Sequence, residues 1–207
     1  MEIKRLILGD LAVNCYLVTD GGEAAVIDPG AQVDVILQKI EESGCTLTKI
    51  LLTHGHFDHI GAVCDLAEKT GAKVYVHSKD KMMLLDNNCN LSFLTGEKVK
   101  PYNPDIFLDD VKEIAVGDKV IKVYHTPGHS EGGVTFCLEN NLFCGDLLFQ
   151  SSIGRYDFGD LKTELNSIGF LINNFPEETC VFPGHGESTT IGDEKKYNPY
   201  VVNHVLD

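Results

Sequence analysis

The sequence predicts a mixed α/β domain, and the order of its elements fits two facing β-sheets with helices outside. Strand-like and helical segments alternate in both halves of the chain, an order that suits packed sheets flanked by helices. No repeat of fixed period and no low-complexity linker divides the 207 residues, so they read as one domain, 1–207. That length is also ample for a large core.

The elements follow in order. Strand-like runs at 3–8, 15–18 and 24–27 are separated by turn signals at Gly9-Asp10 and Asp20-Gly21-Gly22. A helix is predicted over 33–42, where Val33, Ile36, Leu37 and Ile40 recur at helical spacing and Gly44 lies near its end. The strand predicted over 49–52 ends in the buried-looking run Ile50-Leu51-Leu52. A helix over 59–70 places Ile60, Val63, Leu66 and Ala67 on one face. A strand at 73–76 and a helix over 79–85 lead into an irregular, turn-rich stretch, 86–105, of a length often functional. The second half is strand-rich, with runs at 120–124, 134–138 and 142–144. A helix over 161–173 and a strand over 179–182 precede His185.

Composition narrows the function. Hydrophobic content of 43% and charged content of 23% are ordinary for a globular protein. A net charge of −14 without a visible Lys/Arg stripe disfavours phosphate backbones and anionic membranes. The expected partner is a small-molecule substrate, with neither nucleic acid nor membrane. The first apolar run, Leu6-Ile7-Leu8, is too short for a signal peptide, and no stretch approaches a membrane span. The seven cysteines include no CxxC pair and read as reduced thiols of a cytoplasmic protein.

The chemistry lies in the histidines. Five of the eight fall in three short runs, His54-Gly55-His56-Phe57-Asp58-His59, Pro127-Gly128-His129 and Pro183-Gly184-His185. With Asp58 and Asp146 they supply seven potential metal ligands spread over about 130 residues. One tetrahedral zinc takes about four, so the set points to two metals, and two metals with room for water suggest hydrolysis. His54, His56, Asp58 and His59 sit on a strand-to-helix turn that can aim the first pair at one ion and the second pair at another. His125 is separated from His129 by Pro127 and Gly128, which forbid a helix that would align the two. His77 reads as a strand-end or cap residue and His204 as a solvated one.

At these residues the chain resembles the metallo-β-lactamase superfamily over nearly its whole length. Asp28 in Val26-Ile27-Asp28-Pro29-Gly30 matches that family's first motif; His54, His56, Asp58 and His59 match its second. His129, Asp146 and His185 match the third, fourth and fifth. The resemblance implies a four-layer αβ/βα sandwich with the site at one edge between the sheets. It further implies that His54, His56 and His129 hold one metal and Asp58, His59 and His185 a second. Asp146 would bridge both, and Asp28 would fix an imidazole from behind.

Within the superfamily the likeness is to glyoxalase II and its short bacterial relatives. It is carried by Gly145-Asp146-Leu147-Leu148-Phe149 with Gly154-Arg155, by 183–192 and by Asn198-Pro199. It implies hydrolysis of hydroxyacyl-thiol thioesters such as S-lactoylglutathione. The chain departs from the full-length members in lacking their helical C-terminal glutathione-binding extension and in having Ser151-Ser152-Ile153 before Gly154-Arg155. Arg155 is therefore read as an ion-pair partner of Asp157 or Asp160.

The ligand set suits Zn²⁺ and also Fe or Mn. Two such ions bring the pKa of a shared water from ~16 to about neutral. Asp58 and Asp146 are the expected catalytic residues, Asp58 by orienting the hydroxide while ligating. A thiolate of pKa ~8.5 departs without an acid, whereas an amine needs a proton, and the motifs carry no obvious donor. The alternative is a mononuclear-iron sulfur (persulfide) dioxygenase using His54, His129 and Asp146. A lactonase, a β-lactamase and a non-catalytic metal-stabilised binding domain rank lower. Phe93 and Tyr102, in the 86–105 stretch, are candidate pocket residues.

Overall fold

The computed structural model describes residues 1–205; the last two of the expected 1–207 domain lie outside it. The first half runs β1 (Glu2–Leu8), β2 (Val13–Asp20), β3 (Glu23–Ile27), α1 (Val33–Ser43), β4 (Thr46–Leu51), α2 (Phe57–Ile60), α3 (Val63–Thr70), β5 (Lys73–Val76), α4 (Lys81–Leu85) and β6 (Ile106–Phe107). The second runs β7 (Glu113–Val116), β8 (Lys119–His125), β9 (Val134–Leu138), β10 (Asn141–Gly145), β11 (Leu148–Phe149), β12 (Ser152–Ile153), α5 (Leu161–Asn174), β13 (Cys180–Pro183), β14 (Thr189–Thr190), α6 (Ile191–Tyr197) and α7 (Pro199–His204).

These elements build an αβ/βα sandwich of four layers. One sheet has the order β1-β2-β3-β4-β5-β6 and the other β14-β13-β10-β9-β8-β7. Alternation along the strands divides the core into three apolar layers. In β2, Cys15 and Leu17 face α1 and α3, meeting Ile36, Val63 and Leu66. Tyr16 and Val18 face the other way and meet Ile121, Phe136 and Phe143 of the second sheet. Behind that sheet, Leu142 and Val181 pack on Ile168, Leu171 and Ile172 of α5.

Several boundaries differ from the sequence expectation. The predicted helix over 59–70 is two pieces, because Ala62 N donates to Pro29 O at 3.0 Å instead of continuing the α-helical ladder. The first piece starts at Phe57, so Asp58 and His59 lie inside it. The predicted helix over 79–85 opens with a tight turn, Ser78–Asp80, and becomes α-helical only from Lys81. The sequence expectation omitted β6, β7, β11, β12, β14, α6 and α7. Two of these had local signals. Thr190 caps α6 by accepting from Asp193 N, and Asn198 caps α7 ahead of Pro199.

Strand direction places the site. The C-terminal ends of β4, β8, β10 and β13 lead directly into the segments holding His54, His129, Asp146 and His185. Backbone bonds stitch these segments across the sheets: Val134 N to Thr53 O at 2.8 Å, Gly184 N to Gly145 O at 2.8 Å, and Asn14 N to Gly184 O at 2.7 Å. Among the described residues, no helix is long and apolar enough to cross a membrane.

Candidate metal centre

The seven ligand candidates meet at one edge of the sandwich. His54, His56 and His129 bring their nitrogens within 4.8 Å of one another, and so do the ligand atoms of Asp58, His59 and His185. The His56 Nδ1 and His129 Nε2 atoms are 2.9 Å apart. His185 Nε2 lies 3.0 Å from Asp58 Oδ2. Asp146 stands between the trios, with Oδ1 3.3 Å from His59 Nε2 and Oδ2 3.8 Å from His129 Nε2 and 3.6 Å from His185 Nε2.

The rings are held from behind. His129 Nδ1 donates to Arg155 O at 2.8 Å and His185 Nδ1 to Leu11 O at 3.0 Å. His59 Nδ1 meets Asp28 Oδ2 at 3.0 Å. Each of these three rings therefore turns Nε2 toward the site, a fixed orientation suited to ligation. Asp28 also lies close enough to share an ion with His54 and His59. Its carboxylate is already engaged, however, taking Thr53 N at 2.8 Å and Thr53 Oγ1 at 2.6 Å besides His59. That makes Asp28 a brace for the imidazole.

Two observations fit a divalent cation here. His54 Nε2, His59 Nε2 and Asp146 Oδ1 are buried and lack a hydrogen-bond partner among the described residues, an arrangement costly for any polar atom without an ion or water. Protonation preferences agree. Burial first, then the neighbouring imidazoles, pushes His54 well below the ordinary histidine range, and burial with His129 takes His56 down to about 3. Both are thus neutral, the form that binds metal. Burial opposes charge on His59, but Asp146 and Asp58 outweigh it and raise the ring well above its ordinary value. Burial likewise opposes charge on Asp146, and the His59 imidazole beside it overcomes this and lowers the carboxyl strongly. Positive charge is favoured between these carboxylates, and a divalent ion can take the place of that proton.

Close approach explains one glycine. A Cβ on Gly184 would stand 2.1 Å from Asp146 Oδ1 and 2.6 Å from His59 Cε1, so only glycine lets the strand end pass behind them.

A cavity of about 460 Å³ opens over the site. The 86–105 stretch lines it through Leu91, Leu94 and Thr95. Neither expected aromatic does. Phe93 is 57% exposed. Tyr102 packs against the first core layer and donates its hydroxyl to Asp105 at 3.2 Å, pinning the stretch to the body. The Asn87 side chain, bonded to both Val99 N and Val99 O, holds the loop's two arms together and so sets which residues face inward. Arg155 pairs with Asp157, with Nε at 3.0 Å from Oδ1, and also lines the cavity. His125 stays outside, donating Nε2 to Glu131 O at 3.1 Å and stacking on His77 at 4.2 Å. His77 accepts from Lys79 N as a cap, and His204 is exposed.

Two fully buried acids that contact the ligand-bearing loops escaped the sequence reading. Asp80 accepts from Gly55 N at 3.1 Å, Ser130 Oγ at 2.7 Å and Gly132 N at 2.8 Å, tying the His54–His56 loop to the His129 loop. Glu164, on α5, is completely buried, and neither of its oxygens has a hydrogen-bond partner among the described residues.

The sequence profile of the metallo-beta-lactamase superfamily matches residues 8–185, most of the chain and all seven ligand candidates. The chain belongs to the metallo-beta-lactamase superfamily. Two relatives match along nearly their whole length. The chain is 36% identical to "Probable metallo-hydrolase YqgX" of Bacillus subtilis, covering 97% of this chain and 98% of that protein. It is 35% identical to "Hydroxyacylglutathione hydrolase GloC" of Haemophilus influenzae, with the same coverage. Among solved structures, BLEG-1 B3 metallo-beta-lactamase superposes with a TM-score of 0.92 at 39% identity, covering 98% of this chain and all of that one. TTHA1623 in a di-iron-bound form superposes at 0.85 with 37% identity, covering 95% and 99%. Superfamily membership and the His/Asp clusters make this chain a metal-dependent hydrolase by family.

Proposed function

We propose that the chain is a dinuclear-metal hydrolase that cleaves thioesters of the hydroxyacyl-thiol type, S-lactoylglutathione among them. His54, His56 and His129 would hold one ion, Asp58, His59 and His185 the other, with Asp146 serving both. Zn²⁺ suits this imidazole and carboxylate set. When bound, the ions supply hydroxide at neutral pH and draw electron density from the carbonyl oxygen.

The observation that carries the thioester reading is the cavity wall. Outside the histidines and the two aspartates, its polar side chains are Thr95 and Arg155. Neither is a general acid near pH 7, so an amine leaving group would find no proton there. A thiolate, of pKa ~8.5, leaves without one. Water adds to the carbonyl carbon, the C–S bond breaks, and a carboxylate, a thiol and one proton are released. Asp58, which faces the cavity, orients the attacking water, and Asp28 keeps the His59 ring in register. The similarity to a protein named hydroxyacylglutathione hydrolase supports the same reading.

Steady-state rates on S-lactoylglutathione, a short acyl thioester, a lactone and nitrocefin, measured on metal-replete protein, test this. Thioester cleavage with a high KM for S-lactoylglutathione and weak nitrocefin turnover is expected. Efficient nitrocefin turnover without thioester cleavage refutes it. A second reading is a mononuclear-iron persulfide dioxygenase using His54, His129 and Asp146, which the similarity to ETHE1 from Myxococcus xanthus supports, at 30% identity over 97% of this chain with a TM-score of 0.80. One iron per chain with oxygen uptake on persulfide supports that alternative; two metals without uptake dismiss it.

A further inference from the structure

The cavity over the site is apolar in a way that a peptide-thiol substrate does not explain. Leu11, Leu91, Leu94, Phe149, Ile153 and Phe158 form its wall. They come from four separate segments: the turn before β2, the 86–105 stretch, the β11–β12 hairpin and the turn before α5. Leu94 and Phe158 are 51% and 49% exposed, so the apolar surface extends from the buried floor out to the rim.

Charged side chains on the same lining are few: Asp58 and Asp146 at the metal site, and Arg155. Apart from the histidines, Arg155 is the one cationic group among the lining residues. Its guanidinium is already engaged by Asp157 and lies 5.2 Å over the Phe158 ring. Away from the metal site, a glutathione or nucleotide-bearing thiol, with several anionic groups, would meet no unpaired cationic side chain among the lining residues, on a chain whose net charge is −14. Soluble biological thiols are polar or charged, so the hydrocarbon that suits this wall belongs to the acyl side of the thioester.

We propose that the cavity is the binding site for the hydrocarbon chain of an acyl thioester, which makes medium-chain acyl thioesters of a small thiol its preferred substrates. This rests on the thioesterase reading above and narrows it. Burying a methylene against such a wall is worth about fourfold in affinity. The gain should appear in KM, because contacts made equally in ground and transition states leave kcat alone.

The test is a series of N-acetylcysteamine thioesters, acetyl, butyryl and hexanoyl, run beside S-lactoylglutathione on metal-replete protein. Expected is a rise in kcat/KM of about fourfold for each methylene, carried by KM, with the hexanoyl ester ahead of S-lactoylglutathione. Leu94→Asp and Phe158→Asp, both at half-exposed positions, should flatten that series. Cleavage that is independent of chain length, or fastest on S-lactoylglutathione, overturns the proposal while leaving the thioesterase reading intact. Calorimetric binding of the uncleavable S-alkyl N-acetylcysteamine thioethers separates the remaining case. Affinity that rises with chain length while no thioester is cleaved sinks the thioesterase reading and keeps the site for the hydrocarbon. Affinity that does not rise overturns the site.

Discussion

Asp80 and Glu164 are both fully buried acids, and both contact the loop that carries His129, Asp80 at Ser130 and Gly132 and Glu164 at Gly128. They differ in what meets them. Asp80 is surrounded by donors: Ser130 Oγ and Gly132 N from that loop and Gly55 N from the His54–His56 turn. Glu164 meets none. The Gly154 amide beside it is spent on Leu147 O at 3.3 Å. Burial, then the charge of Asp146, pushes the Glu164 carboxyl up to about 8. Burial raises Asp80 too, but its three hydrogen bonds oppose the rise. One acid is therefore a brace between two ligand-bearing loops; the other is a neutral wedge. The loop itself admits Glu164 only because residue 128 is glycine, where a Cβ would lie 2.2 Å from the Glu164 Cα.

Removing the brace gives the largest effect. Asp80→Ala leaves the Gly55 and Gly132 amides buried without an acceptor and parts the two loops. The loss should be on the order of 4 kcal/mol of stability, with metal affinity falling as His56 and His129 lose their fixed separation. Urea unfolding together with metal titration checks both. A variant that loses stability but binds metal as tightly as the parent would show that Asp80 holds the fold and not the site.

The wedge should reveal itself through pH. The unfolded chain releases the Glu164 proton near the ordinary value of 4.5, whereas the folded chain keeps it until about 8. Within that window the folded state binds the extra proton, so raising pH favours unfolding. Glu164→Gln is neutral throughout and removes this slope. The variant should therefore gain on the parent by roughly 1.4 kcal/mol for each pH unit between 5 and 8. Urea midpoints for both proteins at pH 5, 6, 7 and 8 measure the difference. Parallel curves would mean that Glu164 is ionised in the folded protein.

The contrast also shows why one part of the site was legible and another was not. The seven ligand candidates cluster in three histidine runs and a Gly-Asp turn, and Asp28 sits in a strand-end motif, so side-chain identity alone marked them. Asp80 acts on two backbone amides and a serine hydroxyl distant in sequence and Glu164 on a close glycine, partners that leave no local signature in the sequence. Each is a single acid in a helix-like segment, where a solvated face is the ordinary reading. The pocket wall was hidden for a related reason. Phe93 and Tyr102 are the conspicuous aromatics of the 86–105 stretch, but the bonds of Asn87 to Val99 decide its fold, and they turn Leu91 and Leu94 inward instead. The long strands and helices were readable from periodicity. Two-residue strands such as β6 and β11 have none to read.

The smallest effect is expected just outside the loop that the two acids grip. His125 and His129 are four residues apart, and in a helix they would share a face. The turn at Pro127-Gly128 separates them instead. His129 faces His56 across 2.9 Å, while His125 is exposed and bonds only to Glu131 O and the His77 ring. His125→Ala should therefore keep the parent's metal content and shift stability by no more than about 0.5 kcal/mol. His129→Ala should lose metal, although it removes the same atoms from the same type of residue. Elemental analysis of both variants after identical metal loading decides between them. If His125→Ala empties the site while His129→Ala does not, the third histidine of the His54–His56 trio has been assigned to the wrong residue. The roles given to Asp80 and Glu164 would then lose the ligand they are argued to position.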